Sequence, residues 1–222
     1  MFTSLNNKFN YMNIVIFGAT GMVGKHLVRK ALVKGHNVKA FGRNVDHLVD
    51  EDNANDKLLA IKGYVFDEES VYDALVGSDA VLSVLGGSFD GLDHTRSLGL
   101  KNIAKQMEKA GVERLVALGG AGVLTDENGV LLMEKPGYPK VYLPVGKEHL
   151  QAYLNIKDSV LNWTFVCAPD IKDEDGNGNY HTNAEHVPSP NNGHISAGDL
   201  ADFILTSAEE NSFNKQRVGI SN

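Results

Sequence analysis

The stretch that decides the fold of this chain reads Asn13-Ile14-Val15-Ile16-Phe17-Gly18-Ala19-Thr20-Gly21-Met22-Val23-Gly24. An apolar, β-branched run ends at glycines with the spacing G-x-x-G-x-x-G. An amphipathic pattern then places Leu27, Val28 and Ala31 on one face. The three parts predict a strand, a tight turn and a helix, with a second apolar strand following directly.

Each glycine of this turn has a separate predicted task. Gly18 lets the chain leave the strand, Gly21 lets the backbone approach a pyrophosphate, and Gly24 lets helix and strand pack closely. The helix N-terminus offers unpaired N–H groups and a partial positive charge to phosphate oxygens. We therefore predict a dinucleotide site here, and its predicted contacts are Gly18, Thr20, Gly21, Met22 and Val23.

The end of the second strand, Gly42-Arg43-Asn44, bears on the choice of cofactor. A fold of this kind that prefers NAD normally carries a carboxylate here for the ribose 2′-hydroxyl, and none precedes Asp46. Arg43 would instead meet the 2′-phosphate of NADP with its planar, charged fork. A solvated surface arginine is the alternative. We predict cofactor contacts at Arg43 and Asn44, with NADP (NADPH) as the cofactor and NAD as the second choice.

Later turns supply the remaining predicted cofactor contacts. Asp67 follows the third strand and could touch the adenine, although a plain helix N-cap is the favoured interpretation of its side chain. Small residues after the fourth strand leave room for a dinucleotide, because ligands of open α/β sheets bind at the carboxyl ends of the strands. The predicted contacts in these turns are Asp67, Leu85, Gly86, Gly119, Gly120 and Pro169.

Composition excludes several classes of function. The formal net charge of −7, with scattered Lys and Arg, argues against a nucleic-acid partner. No run is apolar enough for a membrane span. The single Cys167 suits a reducing cytosol and is expected to be a buried small residue, so we predict a cytoplasmic protein. His181 and His186 with Glu185 lack a matching ligand elsewhere, and no metal site is predicted.

The rest of the chain predicts a single α/β domain, a Rossmann-type doubly wound parallel sheet over residues 12–222. Residues 1–11 are expected to form a disordered N-terminal tail. The irregular segment 123–144 is a candidate substrate lid, and loops in the C-terminal part are expected to form the substrate cleft. A helix is predicted over 145–160 and a short hairpin over 179–186.

Several motifs resemble one known family. They are Gly18-Ala19-Thr20-Gly21-Met22-Val23-Gly24, Gly42-Arg43-Asn44, Ser78-Asp79-Ala80-Val81 and Leu161-Asn162-Trp163-Thr164-Phe165-Val166 with Pro169. Together they resemble the atypical short-chain dehydrogenases/reductases, and within them the NAD(P)H-binding proteins that include biliverdin-IXβ/flavin reductases and NmrA-like redox sensors. The segments 176–180 and 194–201 look like the tail of the flavin reductase branch.

Two departures from the wider superfamily affect the expected chemistry. Its dehydrogenases use a Ser after the fifth strand and a Tyr-x-x-x-Lys helix, whereas Gly119 and Gly120 hold the Ser region here. The only Tyr-x-x-x-Lys match, Tyr153 to Lys157, falls late in its helix, where core packing is the better interpretation of Tyr153.

Two side chains near the start of the same helix remain as weak catalytic candidates. Lys147 resembles the lysine that reaches the cofactor ribose in relatives, so it also joins the predicted cofactor contacts. His149 could face the substrate cleft or be solvated, and the two alternatives are equally supported. The catalytic residues are otherwise unknown.

These expectations favour an NADPH-dependent reductase that passes a hydride to a flavin-like or other conjugated, planar small molecule. The alternative, from the NmrA-like resemblance, is a non-catalytic NADP(H)-sensing regulatory protein. An epimerase or carbonyl reductase is disfavoured by the missing Ser and the late Tyr. A monomer or a homodimer would both be compatible with the sequence.

Overall fold

The computed structural model describes residues 11–45, 48 and 55–222. The helices are α1 (Met22–Val33), α2 (Glu68–Leu75), α3 (Thr95–Ala110), α4 (Leu143–Ile156) and α5 (Ala197–Glu209). The strands are β1 (Asn13–Phe17), β2 (Asn37–Gly42), β3 (Leu58–Lys62), β4 (Ala80–Ser83), β5 (Arg114–Gly120), β6 (Asn162–Ala168), β7 (Asp170–Lys172), β8 (His181–Ala184), β9 (His194–Ser196) and β10 (Gln216–Ser221).

The main sheet has the strand order β3-β2-β1-β4-β5-β6-β10-β8. Its neighbours pair in parallel except at the edge, where β8 runs antiparallel to β10. The order reverses between β1 and β4, which places a crevice at the carboxyl ends of these two strands. The predicted Rossmann-type, doubly wound α/β fold of one domain is confirmed.

Both faces of the sheet are covered by helices, and the alternation of side chains along β1 shows how. Ile14 and Ile16 enter the core beneath α1 and α5, whereas Val15 and Phe17 enter the core beneath α2, α3 and α4. All four side chains are fully buried. A strand buried on both faces reads as a continuous apolar run, which is why β1 is visible in the sequence.

An aromatic group joins α4 to the sheet. The Tyr153 ring lies 5.8 Å from that of Trp163, nearly edge-on, and 5.7 Å from that of Phe165. The Arg217 guanidinium covers the Tyr153 ring at 4.9 Å. Tyr153 therefore packs against the core together with Leu150, as predicted, whereas Leu154, expected on the same face, is 42% exposed.

Three local predictions differ from the structure. Residues 179–186 do not form a hairpin, because β8 pairs with β10 about thirty-five residues further along the chain. The apolar run 80–85 predicts a strand of that length, but β4 ends at Ser83. The helix predicted over 145–160 is α4, which begins at Leu143 and ends at Ile156.

Segment 123–144 is anchored rather than free along its length. Short 3-10 turns occupy 132–134 and 140–142, and the side chains of Val123, Leu124 and Met133 are buried. The Arg217 guanidinium donates to the Val123 carbonyl at 2.7 Å. The predicted tail lies outside the described residues except for Tyr11, whose ring packs beside Gly35.

Candidate functional site

The turn between β1 and α1 has the geometry that its glycine spacing predicts. Gly18 has a φ of +85°, a conformation that favours glycine, and a β-carbon on it would lie 2.5 Å from the Val84 carbonyl oxygen. A β-carbon on Gly24 would lie 2.1 Å from the Gly18 carbonyl oxygen. Both glycines are therefore required by the backbone itself, independently of any ligand.

Gly21 differs from its two neighbours in the motif. It is exposed, has an ordinary extended conformation, and a β-carbon on it would meet nothing nearer than 3.3 Å. It is also the N-cap of α1, where no side chain caps the helix and the first turn carries no acidic residue. The N-terminal N–H groups of α1 thus face the crevice beside an open glycine, which is the arrangement that binds a pyrophosphate.

The other predicted contacts in this turn divide between exposed and enclosed side chains. Met22 is 45% exposed, whereas the Val23 side chain is buried in the core and could offer a ligand only its backbone N–H. Thr20 lies beside Gly42 at the end of β2, with its Oγ1 at 4.0 Å from the position of a β-carbon there.

Arg43 and Asn44 follow β2 with exposed side chains, on the same edge of the sheet as the glycine turn. Val45 behind them is buried and fixes the bend. Arg43 is therefore a cation beside the crevice. Two further predicted contacts, Asp67 and Pro169, lie in other turns. Asp67 caps α2 by accepting from the Ser70 N–H at 2.9 Å, so the favoured interpretation of its side chain is confirmed.

The chain after β4 is open at one glycine and closed at the next. A β-carbon on Gly86 would have no atom within 4 Å, and Leu85 beside it is partly buried. A β-carbon on Gly87 would lie 2.9 Å from a guanidinium nitrogen of Arg96. Room for a ligand at the end of β4 therefore lies at Gly86. Pro169 is partly buried and separates the end of β6 from the start of β7.

The glycines after β5 are packed against protein side chains. A β-carbon on Gly119 would lie 2.1 Å from the Phe165 ring, and one on Gly122 would lie 2.6 Å from the Tyr138 hydroxyl. At Gly120 it would lie 2.8 Å from Cδ2 of His149. Aromatic and imidazole rings fill the space beside these glycines, so the cofactor contacts predicted at Gly119 and Gly120 could be made only by their backbone atoms.

The two weak catalytic candidates on α4 differ in environment. Lys147 is exposed, whereas the His149 ring is partly buried against Gly120. Burial and the nearby charge of Arg96 lower the pKa of His149 to about 3, so the imidazole is neutral at ordinary pH. His149 is thus not a solvated surface histidine.

A polar group behind this site was not predicted from the sequence. We call it the Arg96 cluster, and it comprises His94, Arg96, Ser97 and Glu148. Arg96 donates to the carbonyls of Gly87 and Ser88 at 2.9 and 3.0 Å. The Glu148 carboxylate accepts a hydrogen bond from the Ser97 hydroxyl at 2.7 Å, and its other oxygen lies 2.7 Å from Nδ1 of His94. The cluster joins the loop after β4 to α3 and α4.

One sequence signal could have revealed this cluster. Arg96 stands in the first turn of α3, where the partial positive charge of the helix end disfavours a cation. A buried arginine at such a place needs acceptors from elsewhere in the fold, and the loop carbonyls supply them. Burial lowers the pKa of Arg96, yet the group stays charged.

Other reactive groups do not join the site. Cys167 is fully buried, and burial raises the pKa of its thiol far above the ordinary range, so it is not a nucleophile. Within residues 11–45, 48 and 55–222, no group of three potential ligands could hold a metal ion. In the same part of the chain, no helix is long and apolar enough to cross a membrane.

Comparison with known proteins identifies relatives over most of the chain. The uncharacterised protein YwnB of Bacillus subtilis is 28% identical over 219 residues, which cover 94% of this chain and 98% of that protein. A solved structure from Burkholderia pseudomallei, provisionally named an exported protein, is 30% identical with a TM-score of 0.81 and covers 95% of this chain and 100% of its own.

A second solved structure bears on chemistry by its name. The protein from Streptococcus pneumoniae, provisionally named an NADH-flavin reductase, is 28% identical with a TM-score of 0.80, covering 95% of this chain and 99% of its own. The model of the NAD(P)H-binding family matches residues 18–211. With the glycine turn at the strand-order reversal, this match shows that the chain belongs to the NAD(P)H-binding family.

Proposed function

We propose that this protein is an NADPH-dependent reductase whose acceptor is a planar, conjugated molecule of the flavin class. The observation that carries the proposal is the pairing of two features of one crevice. A glycine turn suited to a pyrophosphate lies beside the exposed cation Arg43, and the end of β5 lacks the hydroxyl that a carbonyl reductase would use.

The residues present fit a dinucleotide. A β-carbon would have no neighbour at Gly86 and one neighbour, at 3.3 Å, at the exposed Gly21, and the uncapped end of α1 offers N–H groups to phosphate oxygens. Arg43 and Asn44 would hold the adenosine ribose and its 2′-phosphate, and Lys147 would reach the ribose near the nicotinamide. When bound, NADPH supplies the hydride. Family membership supports an NAD(P)H-binding oxidoreductase, and the choice of NADPH rests on Arg43.

The acceptor class rests on what surrounds the crevice. Exposed apolar side chains come from the loop after β4 and from the turn before α4, and they include Phe89, Leu92 and Tyr142. Tyr153, the only residue in a Tyr-x-x-x-Lys spacing, is committed to core packing. A conjugated acceptor needs stacking and distance control more than a protein acid, because water can supply the proton. The name of the Streptococcus pneumoniae relative agrees with this class.

The test is NADPH oxidation with FMN, riboflavin, a quinone and a biliverdin offered side by side, and with a simple ketone as the control acceptor. We expect turnover with at least one conjugated acceptor and none with the ketone. Efficient ketone reduction would contradict the acceptor class. Tight NADPH binding without turnover on any acceptor would favour an NADP(H) sensor instead. The cytoplasmic location stays a prediction.

The cofactor choice is tested by Arg43→Ala. Loss of one charge-assisted contact should weaken NADPH binding by roughly 1.5–3 kcal/mol and leave NADH binding nearly unchanged. Calorimetric titration with both cofactors measures the difference, and Lys101→Ala on the exposed face of α3 provides a control loss of one positive charge. Equal weakening for NADPH and NADH would contradict a role in binding the 2′-phosphate.

A further inference from the structure

The two nitrogens of the His149 ring lie in different surroundings. Nδ1 is enclosed and has no hydrogen-bond partner among the described residues. Nε2 is not enclosed, and it lies with Cδ2 on the edge of the ring that faces Gly120, at the carboxyl end of β5. The imidazole therefore presents one nitrogen to the interior of the protein and the other to the crevice side.

These surroundings determine where the single proton of the neutral ring resides. An enclosed N–H without an acceptor is rarer in folded proteins than an enclosed acceptor without a donor. The proton is therefore assigned to Nε2, and Nδ1 keeps a lone pair. The Arg96 guanidinium next to the ring disfavours a second proton, so the ring acts as a neutral donor rather than an acid.

The position of the ring is set by contacts that leave it little freedom. The Cδ2 edge packs against Gly120, where any larger residue would displace it. The preceding residue, Glu148, is fixed by Ser97 and His94, and this anchors the same turn of α4. A donor held in place before a ligand arrives needs no reorganisation when charge develops on that ligand.

From these observations we propose that the Nε2–H of His149 donates a hydrogen bond to a carbonyl oxygen or ring nitrogen of the acceptor. The proposal rests on the reductase function above and deepens it by assigning the acceptor contact. As the acceptor gains a hydride, the negative charge spreads onto such an atom, and the neutral imidazole stabilises it without giving up its proton. The completing proton comes from water.

This assignment also narrows the acceptor class. A neutral donor near the exposed apolar side chains of Phe89, Leu92 and Tyr142 selects an uncharged, flat ring system that carries a hydrogen-bond acceptor on its edge. His149 takes the space where a serine side chain at position 120 would stand, so it replaces that donor in place as well as in chemistry. A fully apolar ring of the same size would leave the donor unpaired and should bind more weakly.

The first test is a nitrogen-15 NMR spectrum of the histidine rings in the full-length protein without added ligand. We expect the His149 signals of a neutral ring protonated at Nε2, unchanged between pH 7 and 5, and a shift of the Nε2–H signal when riboflavin is added together with NADP⁺. A ring protonated at Nδ1, or a charged ring at pH 6, would overturn the proposal whether or not the protein is an active reductase.

The second test compares two replacements of similar shape, His149→Gln and His149→Met. Glutamine keeps an N–H donor near the Nε2 position and methionine does not. We expect kcat/KM for the best acceptor to fall about 100-fold in His149→Met and to be largely restored in His149→Gln, since removal of one such donor typically costs that much. The Kd for NADPH should stay within about twofold in both variants, which also reports that each has folded.

The outcomes separate the two proposals. Equal activity of both variants and the wild type would overturn the role of His149 and leave the reductase function standing. A wild type that turns over no acceptor would overturn the reductase function, and the nitrogen-15 spectrum would then decide on the donor at His149 by itself. Loss of activity in both variants with unchanged NADPH affinity would mean that ring packing, rather than the N–H, matters, and would contradict the proposal.

Discussion

The turn of residues 18–24 and the turn of residues 119–122 both follow a buried parallel strand, and each contains three glycines. In the first turn, β-carbons on Gly18 and Gly24 would clash with backbone atoms, whereas one on Gly21 would make a single tight contact, at 3.3 Å from the Gly18 carbonyl oxygen. In the second turn, all three glycines lie under rings from other elements. The comparison teaches that a glycine-rich turn at the carboxyl end of a strand can either bind a ligand or make room for protein side chains.

The strongest way to sharpen this comparison lies within the first turn. Gly24→Ala would place a methyl group 2.1 Å from one backbone atom and under 3 Å from two more, so we expect loss of folding or destabilisation of at least about 4 kcal/mol. Gly21→Ala places its methyl group 3.3 Å from a single backbone atom, the Gly18 carbonyl oxygen, and is the matched control. It should lose only about 1 kcal/mol of stability by urea unfolding, since alanine is a poorer N-cap than glycine, but bind NADPH more weakly by calorimetry.

Those two variants could also break the comparison. If Gly24→Ala were as stable as the wild type, the backbone contacts of the first turn would not be obligatory. If Gly21→Ala bound NADPH as tightly as the wild type, the open glycine would not be where the pyrophosphate approaches.

A second prediction concerns Gly120, whose extended backbone accepts alanine and whose β-carbon would meet the His149 ring first. Gly120→Ala should destabilise the protein by about 1–3 kcal/mol because the ring must move. When His149→Ala is added, most of this cost should disappear. A double-mutant cycle measured by urea unfolding should give a coupling of at least about 1 kcal/mol, whereas additive effects would mean that the two residues do not touch.

The third prediction is a dependence of stability on pH. The pKa of His149 falls from the ordinary 6.5 to about 3 on folding, so below pH 6.5 the unfolded chain binds a proton that the folded protein does not. Stability attributable to this residue is therefore lost as pH falls from 6.5 towards 3, by about 1.4 kcal/mol per pH unit.

The variant His149→Gln removes this titration and keeps the other ionisable groups. Between pH 7 and 5, its unfolding free energy should fall by about 2 kcal/mol less than that of the wild type. Parallel pH profiles for the two proteins would show that His149 titrates as an exposed residue. The second turn could then no longer be described as filled by a buried imidazole ring.

Local pattern predicted much of the fold, and distant contacts explain what it missed. Alternation along β1 and the spacing of Gly18 and Gly24 are set by neighbours in the chain, so the first turn was visible in the sequence. The pairing of β8 with β10 was not, because the β8 residues are polar and mostly exposed and their partner lies far along the chain. Arg96 finds its acceptors in loop carbonyls, which leave no mark on composition.

The candidate site divides in the same way. Arg43 and Gly21 lie on the crevice side because strand ends meet at one edge of a parallel sheet, which the order of elements predicts. The enclosure of His149 depends on how α4 leans over β5, and helix tilt is set by side-chain packing across the whole interface. Sequence alone therefore left His149 equally divided between a cleft and a solvated position.

The aromatic contact between α4 and the sheet has a practical consequence. Trp163 is the only tryptophan of the chain, is 3% exposed, and touches α4 through Tyr153. Its emission should be blue-shifted in the native protein and red-shifted on unfolding. Any ligand that shifts α4 over β5 should change its quenching by the Tyr153 ring. The intrinsic fluorescence of Trp163 therefore reports movement of the helix that bears His149, and it can be followed by rapid mixing without a label.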